Sequence, residues 1–518
     1  MSFTSQLLHT SIKLTPKNPL IQLSPKQNQI RVLRRLLKYA QNTEFGKRYD
    51  FNDLLKLKDP RIEFKKWMPV YYYDQMYSEW WERSRQDEPN VSWPGIIPYY
   101  GVSSGSTQCS SKYIPVTHES LYGWNKTAQK LFSSLSAYPE VTPNLLSKQA
   151  LMVGGSSKLT KEGLHFYGDN SGIMAKNRPY WLHSFYKPGP TIQDLSNWEH
   201  RVDAIVREAP LWDIGFLVGN VAWIQLILER IIEQYKLKDI HELWPHLSMI
   251  LNSGIFFEPY KESFEQTLSH PIHCLDTYAA TEAFIAYQNV IQDRSMKLVL
   301  NQGIYYEFVP FDDRYFNEAG KLISKFPDTV AIEDVEENKP YALLISTTSG
   351  AWHYSIGDVI CFTDKEKCKI KILGRTSQSL NLTGEHLTED NVHACIQHIN
   401  QQFGFKIREY TVMGERHGSH YAHRWYVAAT ACINPIAVKQ AIEEYLIFAN
   451  DDYAIQRTAL LKEITIEIVP TFWFYEWMAS RGKMNGQAKV PRILNNDLKN
   501  SWLNFIMGKK NFDRSSKC

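Results

Sequence analysis

Runs that read as buried strands alternate with apolar helical stretches through the middle of this chain, and that alternation narrows its possible folds more than any other feature. Ala-Leu-Met-Val-Gly-Gly within Gln149–Gly155 is a short apolar run closed by glycines, and Leu247–Phe257 is a second, broken at Ser253-Gly254. Between them, Trp223–Tyr235 carries apolar residues at helical spacing. Strands separated by helices over such distances predict an α/β sheet, whose ligands gather at the carboxyl ends of the strands. Upstream, Ile30, Leu33, Leu36, Leu37 and Ala40 recur at helical spacing within Ser24–Tyr49, so an amphipathic packing helix is expected to begin at Ser24-Pro25.

Downstream the period changes. Tyr341–Ser346, Val359–Thr363 and Lys369–Leu373 are short strand-like runs joined by turns, predicting an antiparallel or barrel-like layer. Gly374-Arg-Thr-Ser-Gln378 forms a polar joint. Beyond it the pattern restarts with a helix over Thr388–Phe403, strands over Arg408–Met413 and Trp425–Ala431, a helix over Pro435–Ala449 and a strand over Ile464–Val469. A chain of 518 residues exceeds what one core serves. The expected division is a large α/β domain over 1–373, a hinge at 374–378, and a small α/β domain over 379–518, about 140 residues.

Composition removes several function classes. The net charge of +3 is near neutral and the basic residues are scattered, so a nucleic-acid partner is not expected. The most apolar long segment, Ile214–Leu228, is shorter than a membrane span and contains Gly215, Asn220 and Gln225, so it reads as a buried helix and no membrane partner is expected. Met1–Lys13 lacks the pattern of a secretory signal. Seven widely spread cysteines fit reduced thiols better than a disulfide framework, so the expected location is cytoplasmic.

Four stretches can carry chemistry. Ser103–Lys112 packs six hydroxyls, a glycine and a terminal lysine into ten positions, a composition able to wrap a polyphosphate; its spacing matches neither the Walker loop nor the dinucleotide fingerprint, and a solvated turn has the same makeup. Asp276-Thr-Tyr-Ala-Ala-Thr-Glu282 sets a flat ring, a hydroxyl and a carboxylate along a narrow backbone, able to sandwich an adenine and place Glu282 on magnesium. Read alone, it is also an ordinary strand end. Trp352-His-Tyr-Ser-Ile-Gly-Asp358 presents a carboxylate that can accept a ribose diol or close an Asx turn. Lys483-Met-Asn-Gly-Gln-Ala-Lys489-Val-Pro-Arg492 is a lysine-bearing loop near the C-terminus.

Their order along the chain resembles the adenylate-forming superfamily of acyl-CoA synthetases, peptide-synthetase adenylation domains and luciferases. Within it, the chain is similar to the bacterial branch of the auxin-responsive Gretchen Hagen three family of acyl acid amido synthetases. That resemblance rests on Thr43-Glu-Phe-Gly-Lys, Trp244-Pro-His-Leu, Ser253-Gly-Ile-Phe-Phe-Glu-Pro-Tyr260, Gly303-Ile-Tyr-Tyr-Glu-Phe308 and Gly486-Gln-Ala-Lys-Val-Pro-Arg492, and runs from about Ser24 to Leu494.

The resemblance implies ATP and Mg²⁺ as cofactors, with a small carboxylic acid and an amine, an amino acid in relatives, as substrates. It implies that Ser103, Ser104, Gly105, Ser106, Thr107 and Lys112 hold the triphosphate, with Cys109 where the superfamily often has a glycine. Ser253, Gly254 and Ala279 would line the adenine pocket and Tyr278 would stack on the base. Thr281 would reach the α-phosphate, Glu282 would bind magnesium, Asp358 would hold the ribose and Arg375 would approach from the joint. Lys489, with Lys483 as rival, would be the mobile catalytic lysine. A thioester-forming ligase and a non-catalytic acyl or nucleotide binder are the alternatives. Outside these motifs, His417, His420 and His423 lack the fixed helical face of a metal site, and His393 and His398 read as ordinary histidines. Tyr71–Tyr73 through Trp80-Trp81 read as packing, and Trp223 is placed either beside an acyl pocket or in the core.

Overall fold

The computed structural model describes residues 23–515 apart from 104–111, 136–137, 139–144, 180–181, 255–256, 318–319, 377–379, 381, 383–384, 386, 388, 405–406, 418–419, 430–433, 451–452, 455–456, 458–460, 483–488 and 495. The first helix, Pro25–Ala40, starts where expected. Ser24 and Gln27 form a reciprocal capping box, and Val32, Leu33, Leu36, Leu37 and Ala40 turn inward. Thr43 caps the next short helix, Glu44–Arg48, through the Gly46 amide. A Cβ on Gly46 would stand 2.0 Å from the Ala40 carbonyl oxygen, which explains the glycine of the Thr43-Glu-Phe-Gly motif.

Eleven strands form one sheet, in the order Ile304–Pro310, Pro340–Thr347, Tyr354–Asp364, Lys369–Arg375, Met296–Leu298, Ala283–Tyr287, His273–Ala280, Met249–Ser253, Ile214–Gly219, Gln149–Val153 and Tyr186–Lys187. From His273–Ala280 to Tyr186–Lys187 every pairing is parallel. In the other direction every pairing is antiparallel. The antiparallel runs expected as a barrel-like layer therefore continue the parallel sheet.

In the parallel half, alternate residues serve opposite faces. Leu151, Leu217 and Ile250 pack with helices Trp198–Glu208 and Val221–Tyr235, while Ala150, Phe216, Met249 and Leu251 pack with Leu131 and Leu135 of helix His118–Leu135. Ile214–Leu228, read from sequence as one buried helix, is instead the strand Ile214–Gly219 followed by the start of a helix. Gly219 makes the break. Its φ is +143°, and a Cβ there would meet the Val153 carbonyl oxygen at 2.4 Å.

A four-stranded sheet lies apart from the large one: Lys112–Val116 pairs antiparallel with Tyr99–Ser103, which pairs parallel with His165–Gly168, itself paired with Thr160–Glu162. The C-terminal sheet runs Leu461–Ile468, His420–Ala429, Ile407–His417, Ile493–Leu494. Helices Glu389–Phe403 and Pro435–Ala449 pack on it, as their sequence spacing predicts. Helices Thr471–Ser480 and Asn496–Ser515, which the sequence reading did not assign, cover its other face around Trp477 and Trp502. Among the described residues, no helix is long and apolar enough to cross a membrane.

Candidate active site

A cavity of about 1670 Å³ opens at the carboxyl ends of the parallel strands and along the first antiparallel ones. It is lined by Lys112, Ser253, Gly254, Tyr278, Ala279, Thr281, Glu282, Asp358, Arg375 and Lys489, residues spread over more than three hundred positions of sequence. Ser103 and Lys112 face each other as the last ladder pair of the antiparallel strands Tyr99–Ser103 and Lys112–Val116. Ser104, Gly105, Ser106, Thr107 and Cys109 lie outside the described residues, as does the Ser103 side chain. This strand pair sits close to the Thr281 turn: a Cβ on Gly101 would stand 2.4 Å from Thr281 Cγ2.

Asp358 is held from both sides. Tyr278 donates its hydroxyl to Asp358 Oδ2, and Arg375 Nε stands 3.1 Å from Oδ1 across the ladder pair Asp358–Arg375. Arg375 also donates to the Ile356 carbonyl at 2.8 Å, and Asp358 raises its pKa. A carboxylate has about four acceptor positions, so Asp358 retains capacity for a diol. Glu282 is buried beside Tyr354, whose hydroxyl bonds to it. Burial raises the Glu282 pKa against the opposing pull of Lys112 and Arg375, so a cation arriving there would stabilise the carboxylate. Burial lowers the Lys112 pKa, with Glu282 opposing.

Lys489 comes from the C-terminal segment, yet its Cε and Nζ lie 2.9 and 3.2 Å from where a Cβ on Gly254 would be. The side chain is exposed to the cavity, where surrounding protein desolvates its ammonium. That burial and Arg375 lower its pKa, while Asp358 and Glu389 oppose the shift. Gly254 has φ +91°, so both backbone and space favour glycine there. Lys483, the rival lysine, and Ser377 and Gln378 of the joint lie outside the described residues.

The loop carrying Lys489 is anchored three residues later. Arg492 pairs with buried Glu409 at 2.6 Å and lies 4.3 Å over the Tyr410 ring, and its carbonyl accepts from the Val412 amide at 2.8 Å. Tyr260, on helix Glu258–Glu265, donates to Glu409 Oε1 at 3.1 Å and accepts from Arg492 Nη2 at 3.2 Å. Tyr475 donates to the same Glu409 oxygen at 3.0 Å. A second link across the same boundary is Arg408 with Glu229, at 3.5 Å.

Among residues outside the motifs, some depart from their sequence readings and others fall within them. His393, read as ordinary, lines the cavity; burial drives its pKa down to about 3 and its Nδ1 lies 2.6 Å from the Tyr410 hydroxyl. Tyr72 and Tyr73 also line it, although Tyr71, Trp80 and Trp81 of the same cluster are core. Trp223 belongs to the core under the parallel strands, and Trp124 faces the cavity. His423 is buried against Glu385 at 3.0 Å, and no group of three or more metal-ligating side chains occurs among the described residues. Glu389, Glu409 and Tyr260 were missed altogether. Glu389 and Glu409 are common residue types without a local motif, and Tyr260 closes the Ser253–Tyr260 motif without any sign there of a partner near position 409.

Comparison with known proteins bears on this geometry. Residues 21–202 match the GH3 family N-terminal domain, 297–375 the GH3 family central domain and 390–497 the GH3 family C-terminal domain. The chain belongs to the GH3 family. An indole-3-acetic acid-amido synthetase of Arabidopsis thaliana, GH3.3, is 22% identical over 90% of this chain and 89% of its own length. Among solved structures, the GH3.15 acyl acid amido synthetase superposes with a TM-score of 0.75 at 17% identity, over 93% of each chain. A 2-hydroxyisobutyryl-CoA ligase in its postadenylation state, in complex with 2-HIB-AMP, superposes with a TM-score of 0.60 at 11% identity, over 93% of this chain and 91% of that one. The GH3 fold of this chain is thus that of the adenylate-forming ligases, with a large N-terminal part and a smaller C-terminal one.

Proposed function

We propose that this GH3 protein is a cytosolic, ATP- and Mg²⁺-dependent ligase that activates a small carboxylic acid as its acyl-adenylate and transfers the acyl group to an amine, an amino acid in the first instance. One observation carries the reading: Lys489 of the C-terminal segment reaches Gly254 beside the Tyr278–Asp358–Arg375 group, in the cavity that also holds Glu282. A carboxylate oxygen is a poor leaving group, and exchange for AMP makes it a good one. The attack joins two anions, so cations must offset their repulsion and stabilise the charge on phosphorus.

Magnesium is commonly held by one or two carboxylates together with substrate phosphates, and buried Glu282 suits that arrangement. When bound, the ion would neutralise phosphate charge. Lys112 closes the phosphate hairpin, Lys489 approaches from the other side, Tyr278 and Ser253-Gly254 flank the base, and Asp358 takes the ribose diol. The amine then attacks the acyl carbon and AMP leaves. In this reading 1–373 and 379–518 are separate units, and rotation at 374–378 withdraws Lys489 to admit the amine.

Carboxylate-dependent ATP–pyrophosphate exchange over aryl, indolyl and fatty acids tests the first step. Lys489→Ala and Glu282→Ala should each lose about two to three decades of exchange, the usual effect of removing a transition-state charge. Product mass then separates amide from thioester. ATP binding without exchange for any acid would overturn the reading in favour of a binding protein.

A further inference from the structure

Arg178 follows helix Asn170–Lys176 and lines the far end of the cavity. Its guanidinium lies 4.1 Å over the Tyr186 ring, and Nη2 stands 3.1 Å from Met152 Sδ. Stacking occupies the face of a guanidinium and leaves its fork of N–H donors at the edge, and a thioether is a weak acceptor. Among the described residues, the ionisable group acting on Arg178 is the Tyr186 phenol, and burial lowers the Arg178 pKa. Asp169, the acid just before the same helix, has Arg201 as its counter-charge. A desolvated cation with an open bidentate edge is a place for a planar anion.

Its distance from the reacting centre says which anion. Met152 lies on a strand three ladder steps from His273–Ala280, and Tyr186 on one four steps away. At about 4.8 Å per step, the two strands whose side chains hold Arg178 lie about 14–19 Å across the sheet from the strand that leads into Thr281–Glu282. The same cavity is lined by the apolar Phe132, Phe185, Val218 and Leu251, with Asn220 and Asn252 as polar neighbours. The carboxylate of an α-amino acid acceptor is separated from its attacking nitrogen by a single carbon and cannot span that gap.

We propose that Arg178 binds a second carboxylate at the distal end of the acyl acid, so that the donor is a dicarboxylic acid with an apolar body. The location of the reacting carboxyl rests on the function proposed above; the anion site itself does not. The test compares decanedioic with decanoic acid in ATP–pyrophosphate exchange, without amine, in the wild type, Arg178→Met and Arg178→Lys. The wild type should prefer the diacid, and the ratio of kcat/KM for diacid over monoacid should fall about ten- to hundredfold in Arg178→Met, with Arg178→Lys between because it keeps the charge and loses the fork. A ratio that stays the same in both variants overturns the proposal. Should neither acid support exchange, the adenylation reading fails separately, and calorimetric binding of the same two acids decides on Arg178: tighter binding of the diacid that is lost in Arg178→Met supports the site, and equal affinities refute it.

Discussion

Tyr260→Phe is the sharpest perturbation the structure offers, because it removes one oxygen that ties the C-terminal sheet to the N-terminal part. That hydroxyl donates to Glu409 at 3.1 Å and accepts from Arg492 at 3.2 Å. The phenyl ring stays, so the packing of Tyr260 with the helices under the parallel strands is kept. Hydrogen bonds to charged groups contribute about 1.5–3 kcal/mol each. Glu409 and Arg492 retain each other at 2.6 Å, and Glu409 retains Tyr475, so the combined loss is closer to one such bond than to two. About 1.5–3 kcal/mol is a ten- to hundredfold shift against the arrangement that holds Lys489 at Gly254.

The two half-reactions report that shift in opposite ways. Exchange, which in the proposed cycle needs Lys489 in the cavity, should fall by at least about tenfold in Tyr260→Phe. Aminolysis of preformed acyl-adenylate, which in the proposed cycle needs the lysine withdrawn, should hold or accelerate. The thermal midpoint should change little, because the buried Arg492–Glu409 pair survives. Unaltered exchange, or an equal fall in both half-reactions, would refute the argument that this contact sets the position of the lysine.

Gly254→Ala should slow exchange by at least about tenfold and lower stability by about 1–2 kcal/mol, since the new methyl displaces the Lys489 terminus and the residue must adopt φ +91°; exchange kinetics and urea titration read the two effects. Lys489 loses its proton below the ordinary lysine value, so kcat/KM for exchange should decline on the alkaline side at a lower pH than a free lysine would give, and Lys489→Arg should move that limb upward. His393 stays neutral in the fold down to about pH 3, whereas the unfolded chain takes up its proton near 6.5. Its contribution is therefore complete above about 6.5 and is lost as the pH falls from there toward 3, at up to about 1.4 kcal/mol per pH unit. Urea titrations of the wild type and His393→Gln between pH 7 and pH 4 should show the slope reduced in the variant.

What the sequence disclosed and what it hid divide along a physical line. Features fixed by neighbours in the chain were legible: the Ser24-Pro25 helix start, the strand–helix alternation, and the strand end at Asp276–Glu282. Gly219 shows where local reading fails, since an unbroken apolar stretch is equally a helix or a strand entering one, and the contact that decides it is with Val153, far away in sequence. The same limit hid Tyr260, Glu409 and Arg492 as a group. Tyr260 and Arg492 each close a motif read from the sequence and Glu409 belongs to none, but no motif shows that they touch, and their meaning arises only when a helix near position 260, a strand near 410 and a loop near 490 meet. Arg178 was hidden differently, because its significance lies in what surrounds it: a ring, a thioether and an apolar cavity, contributed by three separate segments. Chemistry common to a family leaves motifs, because the same atoms must meet the same phosphate. The residues proposed to choose the acid and time the lysine answer to contacts between segments, and they are found by distance.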